Sequence, residues 1–181
     1  MRRIVSIFIT LLFVSVLSVL SVPSAIAASP HFKKGGEPTC TISGTDASKT
    51  VTCTSTLAVL GNSDVRVVQT VSGSAVYQCQ NGGGNTSPGQ NKVLVGPVTT
   101  PVIFPASAIK NGNLTVSVTS TLTAPTTVTG AEAGCPNPNW TGVNPVLTVT
   151  SIQFVIEQPV GSPIFSCSAS DPLTGTVALT C

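Results

Sequence analysis

Polar and apolar side chains alternate along much of the chain after residue 39, which is the period of a half-buried β-strand. The pattern is clearest in residues 49–60, 113–123 and 146–158. In the first of these segments every second residue is a threonine, namely Thr50, Thr52, Thr54 and Thr56. The residues between them are mostly apolar, namely Val51, Cys53, Ser55 and Leu57. Each segment therefore predicts a strand with one face toward solvent and one toward a core.

Further strands are predicted from runs rich in Val, Thr and Ser, at residues 64–79, 164–169 and 176–181. Gly73 lies inside the first of these runs and predicts either a turn or a bulge. Residues 92–98 and 100–105 predict two short strands. The prolines in both indicate edge positions, because proline cannot donate to the hydrogen-bond ladder of a central strand.

About eight or nine short strands, separated by turn sequences and without an amphipathic helix, predict an all-β fold. We expect an immunoglobulin-like Greek-key β-sandwich stabilised by disulfides, with a small barrel as the alternative. Aromatic residues are scarce, so the predicted core is mainly aliphatic. Its expected members include Leu57, Val67, Val116, Val118, Phe154 and Ile156.

Residues 1–27 have the features of a secretory signal peptide: two early arginines, an apolar run over residues 4–22, and small residues up to Ala27. The run is long enough to span a bilayer, so an uncleaved membrane anchor is the alternative. We expect cleavage after Ala27, a flexible polar segment at residues 28–38 and a single β-sandwich domain at residues 39–181. The expected localisation is secreted and extracellular, with no membrane span after cleavage.

The charge balance narrows the range of partners. Removing residues 1–27 takes away two of the eight basic residues, which leaves six against six acidic ones (8 − 2 = 6). A chain with so few charges and a net charge near zero lacks the basic patch on which nucleic-acid binding depends. The expected partner is therefore a protein or glycan of the cell envelope.

All six cysteines follow residue 27, and an even count in an exported chain predicts disulfides at Cys40, Cys53, Cys79, Cys135, Cys167 and Cys181. Residues 40–53 and 167–181 both place a cysteine at each end of a polar turn and β-forming residues, which predicts two hairpins closed by local bridges. Cys79 and Cys135 are then left for each other, although six cysteines permit many other connectivities. A zinc site is not favoured, because there is no CxxC pair and His31 is the only histidine.

The glycine-rich segment CQNGGGNTSPGQNK, at residues 79–92, invites several readings. Its spacing does not match a phosphate-binding loop and no helix is predicted after it. It contains no carboxylate for calcium. We expect a long hairpin connection from Cys79 to Lys92, in which Gly82, Gly83 and Gly84 would permit positive-φ turns and the asparagines would bond the local backbone. A rigid exposed tip here would suit a secreted protein-type inhibitor, which is one alternative function.

A bridge between Cys79 and Cys135 would join the glycine-rich segment to the loop that carries the only tryptophan. This predicts a candidate ligand corner made of Tyr77, Asn81, Asn85, Asn139 and Trp140. An aromatic ring beside amide side chains is typical of carbohydrate-binding sites on β-sandwiches. The alternative is that Trp140 fills the end of the core, since tryptophans are usually well buried.

No catalytic constellation is predicted. His31 lies in the polar N-terminal segment, so a His-based triad is not available, and the six acids form no local paired-carboxylate motif. No cofactor motif is found. The threonine ladders, which recur at Thr119, Thr121 and Thr123, predict solvent-facing strand surfaces, with an array that orders water or ice as the alternative.

The strings TSTLAVLGNSDV, YQCQNGGGNTSPGQNK and AEAGCPNPNWTG resemble a family of exported, disulfide-containing proteins of Gram-positive-type soil bacteria. The likeness covers most of residues 39–165 and implies bacterial secretion, but no activity is known for the family. From the signal sequence, the cysteines, the alternating strands and the lack of a catalytic constellation, we expect a secreted, non-catalytic structural or interaction module of the extracellular space or cell envelope. A glycan or cell-wall binding module that uses Trp140 and the Asn-rich loops is the alternative.

Overall fold

A computed structural model describes residues 29–181, so the predicted signal peptide at residues 1–27 lies outside the described residues. The strands are β1 His31–Phe32, β2 Thr39–Gly44, β3 Ser48–Ala58, β4 Val65–Gln80, β5 Thr86–Pro88, β6 Val93–Phe104, β7 Leu114–Thr123, β8 Val128–Thr129, β9 Thr141–Glu157, β10 Pro163–Leu173 and β11 Gly175–Ala178. A 3-10 turn, Ala106–Ala108, precedes β7, and a one-turn helix, α1 Gly130–Ala133, precedes β9.

The strands form two antiparallel sheets. In the first sheet the order is β7, β3, β2, β11, and β1 pairs with the C-terminal end of β3. In the second sheet the order is β6, β4, β9, β10, while β5 and β8 pair with the ends of β4 and β9. The prediction of an all-β, sandwich-like fold is confirmed at this level. Three strands beyond the eight or nine predicted are only two or three residues long, namely β1, β5 and β8.

The alternation seen in the sequence is the alternation of burial in the structure. Along β7 every second residue is buried, and along β3 the apolar parity is buried while the threonine parity faces outward. The residues predicted for the core are all buried, each at most 1% exposed: Leu57, Val67, Val116, Val118, Phe154 and Ile156. These side chains pack between the two sheets in one hydrophobic cluster.

The outer face of the first sheet carries hydroxyl groups in register, and we call it the hydroxyl face. It consists of the outward residues of β2, β3, β7 and β11: Thr39, Thr41, Ser43, Ser48, Thr50, Thr52, Thr54, Thr56, Thr115, Ser117, Thr119, Thr121, Thr123, Thr176 and Ala178. The hydroxyls of Thr52 and Thr119 are 2.9 Å apart, as are those of Ser48 and Thr123. The predicted threonine ladders are therefore confirmed as an exposed face, and cross-strand hydroxyl pairs join β3 to β7.

The N-terminal segment differs from the prediction. Residues 28–38 were expected to be flexible, but Phe32 and His31 pair with Leu57 and Ala58 at the end of β3. The ring of Phe32 lies 4.2 Å from that of Phe165, centroid to centroid. The segment is mostly polar, and its composition therefore predicts flexibility. Its one large apolar side chain, that of Phe32, packs against the core cluster and holds the strand in place.

Two further predictions are corrected by the sheet topology. The predicted strands at residues 92–98 and 100–105 are one continuous strand, β6, which pairs only with β4 among the described residues and so does lie at an edge. Residues 167–181 do not form a simple hairpin, because β11 crosses to the other sheet and pairs with β2. Only a short bridge between Ser168 and Thr180 returns to β10.

At Gly73 the register of β4 shifts against both of its neighbouring strands, so this residue marks a bulge and not a turn.

Candidate functional site

Three disulfides link the cysteines in the pairs predicted from the sequence. Cys40–Cys53 joins directly opposed residues of β2 and β3, and Cys167–Cys181 holds the C-terminus to β10. The third bridge, Cys79–Cys135, connects residues 56 apart in sequence, from the end of β4 to the loop after α1. It therefore joins the two segments in which the sequence places the candidate ligand corner.

The glycine-rich segment forms a compact hairpin. Strand β5 begins at Thr86, so the connection is shorter than the predicted one from residue 79 to residue 92. The Asn81 side-chain oxygen accepts hydrogen bonds from the backbone N–H groups of Gly83 (2.9 Å) and Asn85 (3.0 Å). Of the three glycines only Gly84 has a positive φ, of 82°, which glycine adopts at little cost; Gly82 and Gly83 do not use the conformation that they would permit. Asn81 thus shapes the turn, as asparagines commonly do in tight turns.

Helix α1 begins with a capping box that positions a carboxylate at the corner. The Thr129 hydroxyl accepts from the Glu132 backbone N–H (3.2 Å), and Glu132 Oε2 accepts from the Thr129 backbone N–H (2.9 Å) and hydroxyl (2.7 Å). These hydrogen bonds, the one from the hydroxyl first, hold the pKa of Glu132 below its ordinary value of 4.5. The side chain is consequently ionised at neutral pH.

Trp140 is half-buried, packs against the core with part of its surface, and borders an open groove of about 600 Å³. We call this the Trp140 groove; its lining includes Pro125, Val128, Thr129, Glu132, Pro138 and Trp140. The backbone N–H of Trp140 donates to the carbonyl of Asn137 (3.0 Å), which fixes the loop. Trp140 thus packs against the core and also lines the groove, so each of the two alternatives that the sequence left open holds in part.

Tyr77 does not belong to the accessible corner. Its side chain is 1% exposed, and its hydroxyl donates to the carbonyl oxygen of Pro125 (2.9 Å). Burial, with a smaller effect from Glu132, raises the pKa of Tyr77 above 10.0. Because Pro125 lines the Trp140 groove, Tyr77 supports that wall from inside. Its placement with the ligand-facing residues is corrected: it shares the inward parity of β4 with Cys79.

The three asparagines of the predicted corner lie outside the Trp140 groove. Asn81 shapes the hairpin turn, and Asn85 is exposed at its end. Asn139 is exposed beside Trp140, and its backbone N–H donates to the Asn137 side chain (2.9 Å). The groove instead combines the tryptophan with Glu132 and Thr129, whose role as a capping box was not predicted from the sequence.

A second groove, of about 760 Å³, is lined in part by β4 and was not predicted. The turn between β2 and β3, β5 and the start of β9 form its walls, with Asp46, Val76, Ser87 and Val146 among its lining. The sequence feature that indicates this groove is the pair of apolar residues on the outward faces of their strands, Val76 (39% exposed) and Val146 (52% exposed).

Two other carboxylates of the described residues, those of Glu157 and Asp64, have structural partners. Arg66 donates from Nε and Nη2 to the two oxygens of Glu157 (2.8 and 3.0 Å), and Glu157 also accepts from the Gly161 N–H (2.7 Å). Asp64 accepts from the Ala106 N–H at the start of the 3-10 turn (2.8 Å). Within residues 29–181 there is no group of three or more His, Cys, Asp or Glu that could hold a metal ion. No helix in that range is long and apolar enough to cross a membrane.

The chain matches no protein-family model, and no curated protein is significantly similar to it in sequence.

Proposed function

We propose that this chain is a secreted, non-catalytic interaction module of the extracellular space or cell envelope. Two features support the proposal. Three disulfides suit an oxidising compartment. The Glu157 carboxylate is engaged in structure by Arg66 and by the Gly161 N–H.

We propose further that the architecture is an immunoglobulin-like Greek key. The chain forms hairpins β2–β3, β4–β6 and β9–β10, and it changes sheet between β3 and β4 and between β6 and β7. The resulting order supports the proposal, because β2, β3, β7 and β6, β4, β9, β10 follow the A-B-E and C′-C-F-G orders of such sandwiches. Strand β11 then pairs with β2 at the edge of the first sheet.

The function that the geometry supports best within this class is glycan or cell-wall binding in the Trp140 groove. The observation that carries it is half-buried Trp140 in the lining of an open groove, together with the ionised Glu132 and with Thr129. An aromatic face binds the apolar face of a sugar ring, and oxygen acceptors such as those of Glu132 bind its hydroxyl groups. The Cys79–Cys135 bridge and the capping box hold these parts in place before a ligand arrives, which lowers the ordering cost of binding.

Co-sedimentation with purified cell-wall polysaccharide and peptidoglycan tests this function. The intact protein is expected to sediment with at least one of the two, and Trp140→Ala to remain in solution. Glu132→Gln keeps a capping side chain but removes the charge, so it is expected to fold normally and bind more weakly. Leu94→Ala is the matched control, because Leu94 is 85% exposed and lines neither groove. Equal binding by Trp140→Ala and the intact protein would exclude the groove as the site.

A further inference from the structure

Strand β7 is an edge strand of the first sheet, and β6 of the second sheet packs close to it without pairing with its backbone. Among residues 29–181 it pairs with β3 alone, and none of its residues has a backbone partner outside that pair. In an antiparallel pair only half of a strand's N–H and C=O groups point at the neighbour, so the other half of those of β7 point away from the sheet. The Ser120 hydroxyl, which donates to Thr100 of β6 (2.8 Å), links the two sheets without occupying this backbone edge.

The other three edges carry features that hinder pairing. Strand β6 contains Pro97 and Pro101. Strand β10 contains two prolines, has register shifts against β9, and is bridged by Thr180. Strand β11 is only four residues long. Prolines, bulges and short edge strands are the devices by which natural sheets prevent further strand addition.

Strand β7 has none of these devices. It is ten residues long, contains no proline, glycine or charged residue, and keeps an unbroken register with β3. Its outward residues are all Thr or Ser, and they already pair with a strand of the same kind, as in Thr52 with Thr119 and Ser48 with Thr123. A neutral strand meets no like-charge repulsion when it pairs with a copy of itself.

We propose that two copies of this chain associate by antiparallel pairing of their β7 strands about a two-fold axis at Thr119. This register opposes Thr119 to Thr119 of the second copy, Ser117 to Thr121 and Thr115 to Thr123, so every outward hydroxyl of the strand gains a partner. A register centred one residue earlier would leave Thr123 opposite Asn113, outside β7. The pairing is isologous and closes as a dimer, and it joins the two hydroxyl faces into one continuous surface.

Sedimentation velocity of the exported protein over a concentration series tests the association. The intact protein is expected to approach twice the monomer mass as its concentration rises. Thr119→Lys places two like charges side by side at the axis and is expected to keep the protein monomeric. Thr176→Lys is the matched control on β11, at the opposite edge of the same face, and should dimerise like the intact protein.

Cysteine crosslinking tests the register independently of any loss of stability. Opposed Cα atoms in an antiparallel pair are about 4.5–5.5 Å apart, within the range of a disulfide. Thr119→Cys is therefore expected to form a covalent dimer on mild oxidation, and Thr176→Cys, with the same risk of disulfide exchange, is not. A monomeric intact protein at all concentrations, equal crosslinking by the two variants, or open-ended polymers in place of dimers would each overturn the proposal.

Discussion

Cys79 and Cys135 are joined by a disulfide with their Cα atoms 5.6 Å apart, and this bridge connects the glycine-rich hairpin to the segment that leads into Trp140. Cys79 is fully buried at the end of β4, whereas Cys135 lies directly after the C-cap residue of α1. The loop with the Trp140 groove is thereby attached to β4, a central strand of the second sheet that pairs with both β6 and β9. Stability and binding at this corner should therefore depend on the same bridge.

Replacing both Cys79 and Cys135 by alanine should destabilise the protein by about 4 kcal/mol, because the bridge closes a long loop in the unfolded chain. The Cys40–Cys53 bridge closes a shorter loop. The double variant Cys40→Ala, Cys53→Ala should therefore lose only about 3 kcal/mol of unfolding free energy. Denaturant unfolding under non-reducing conditions measures both. Only the first variant should also lose cell-wall binding; a loss in both alike would indicate a general effect of stability.

Gly130→Ala should weaken binding in the Trp140 groove. A methyl group at this glycine would lie against the backbone carbonyls of Asn137, Pro138 and Trp140, so the loop has to shift. Gly82→Ala is the control, since nothing lies within 4 Å of its position. Co-sedimentation of the two variants is the measurement. If Gly130→Ala bound as tightly as Gly82→Ala, the close packing of this loop would not matter for the site.

Acid should remove the stabilisation that Glu157 provides. Hydrogen bonds from Arg66 and then from the Gly161 N–H lower the pKa of Glu157 in the folded state below its ordinary value of 4.5. A lowered folded pKa stabilises the fold above 4.5, and this contribution disappears as the pH falls from 4.5 through the folded value. The unfolding free energies of the intact protein and Glu157→Gln should therefore differ at neutral pH and converge in acid. A constant difference down to low pH would contradict this.

Val59→Asn should stabilise the protein. Val59 has a φ of 59°, a left-handed conformation that a β-branched residue adopts at a cost of about 1–2 kcal/mol, whereas asparagine tolerates it. We expect a gain of about 1 kcal/mol, which for a chain of this size raises Tm by about 2–4 °C. Val160→Asn is the control at another exposed valine without a positive φ, and it should give no gain. Calorimetry of both variants decides the point.

Much of the fold could be predicted because alternation in sequence is a direct consequence of strand geometry. Strand β7 and the threonine parity of β3 appear in the structure as predicted. The disulfides could be predicted because the two cysteine-bounded segments resemble each other, which left Cys79 and Cys135 for the third bridge. The crossing of β11 to the other sheet could not be predicted, since local sequence does not encode which sheet a strand joins.

The candidate site could be predicted only in part. The sequence predicted the Cys79–Cys135 bridge that joins its two segments, but it placed Tyr77 among the ligand-facing residues, although the parity of Tyr77 with Cys79 already indicated burial. Glu132 was missed, because a Thr-x-x-Glu capping box normally precedes an apolar helical run and α1 has only one turn. Glu132 and Trp140 line the same groove because the loop between them folds back, and no local sequence pattern predicts that fold.

Tryptophan fluorescence tests the central claim most directly, because Trp140 is the only tryptophan of the chain and lines the groove. Soluble fragments of cell-wall polysaccharide and peptidoglycan would be titrated into the intact protein and into Glu132→Gln. The account predicts a saturable change in the position or intensity of the emission, with weaker affinity for the variant. An unchanged spectrum with every fragment, including any that the protein demonstrably binds, would place the ligand elsewhere and contradict a glycan site in the Trp140 groove.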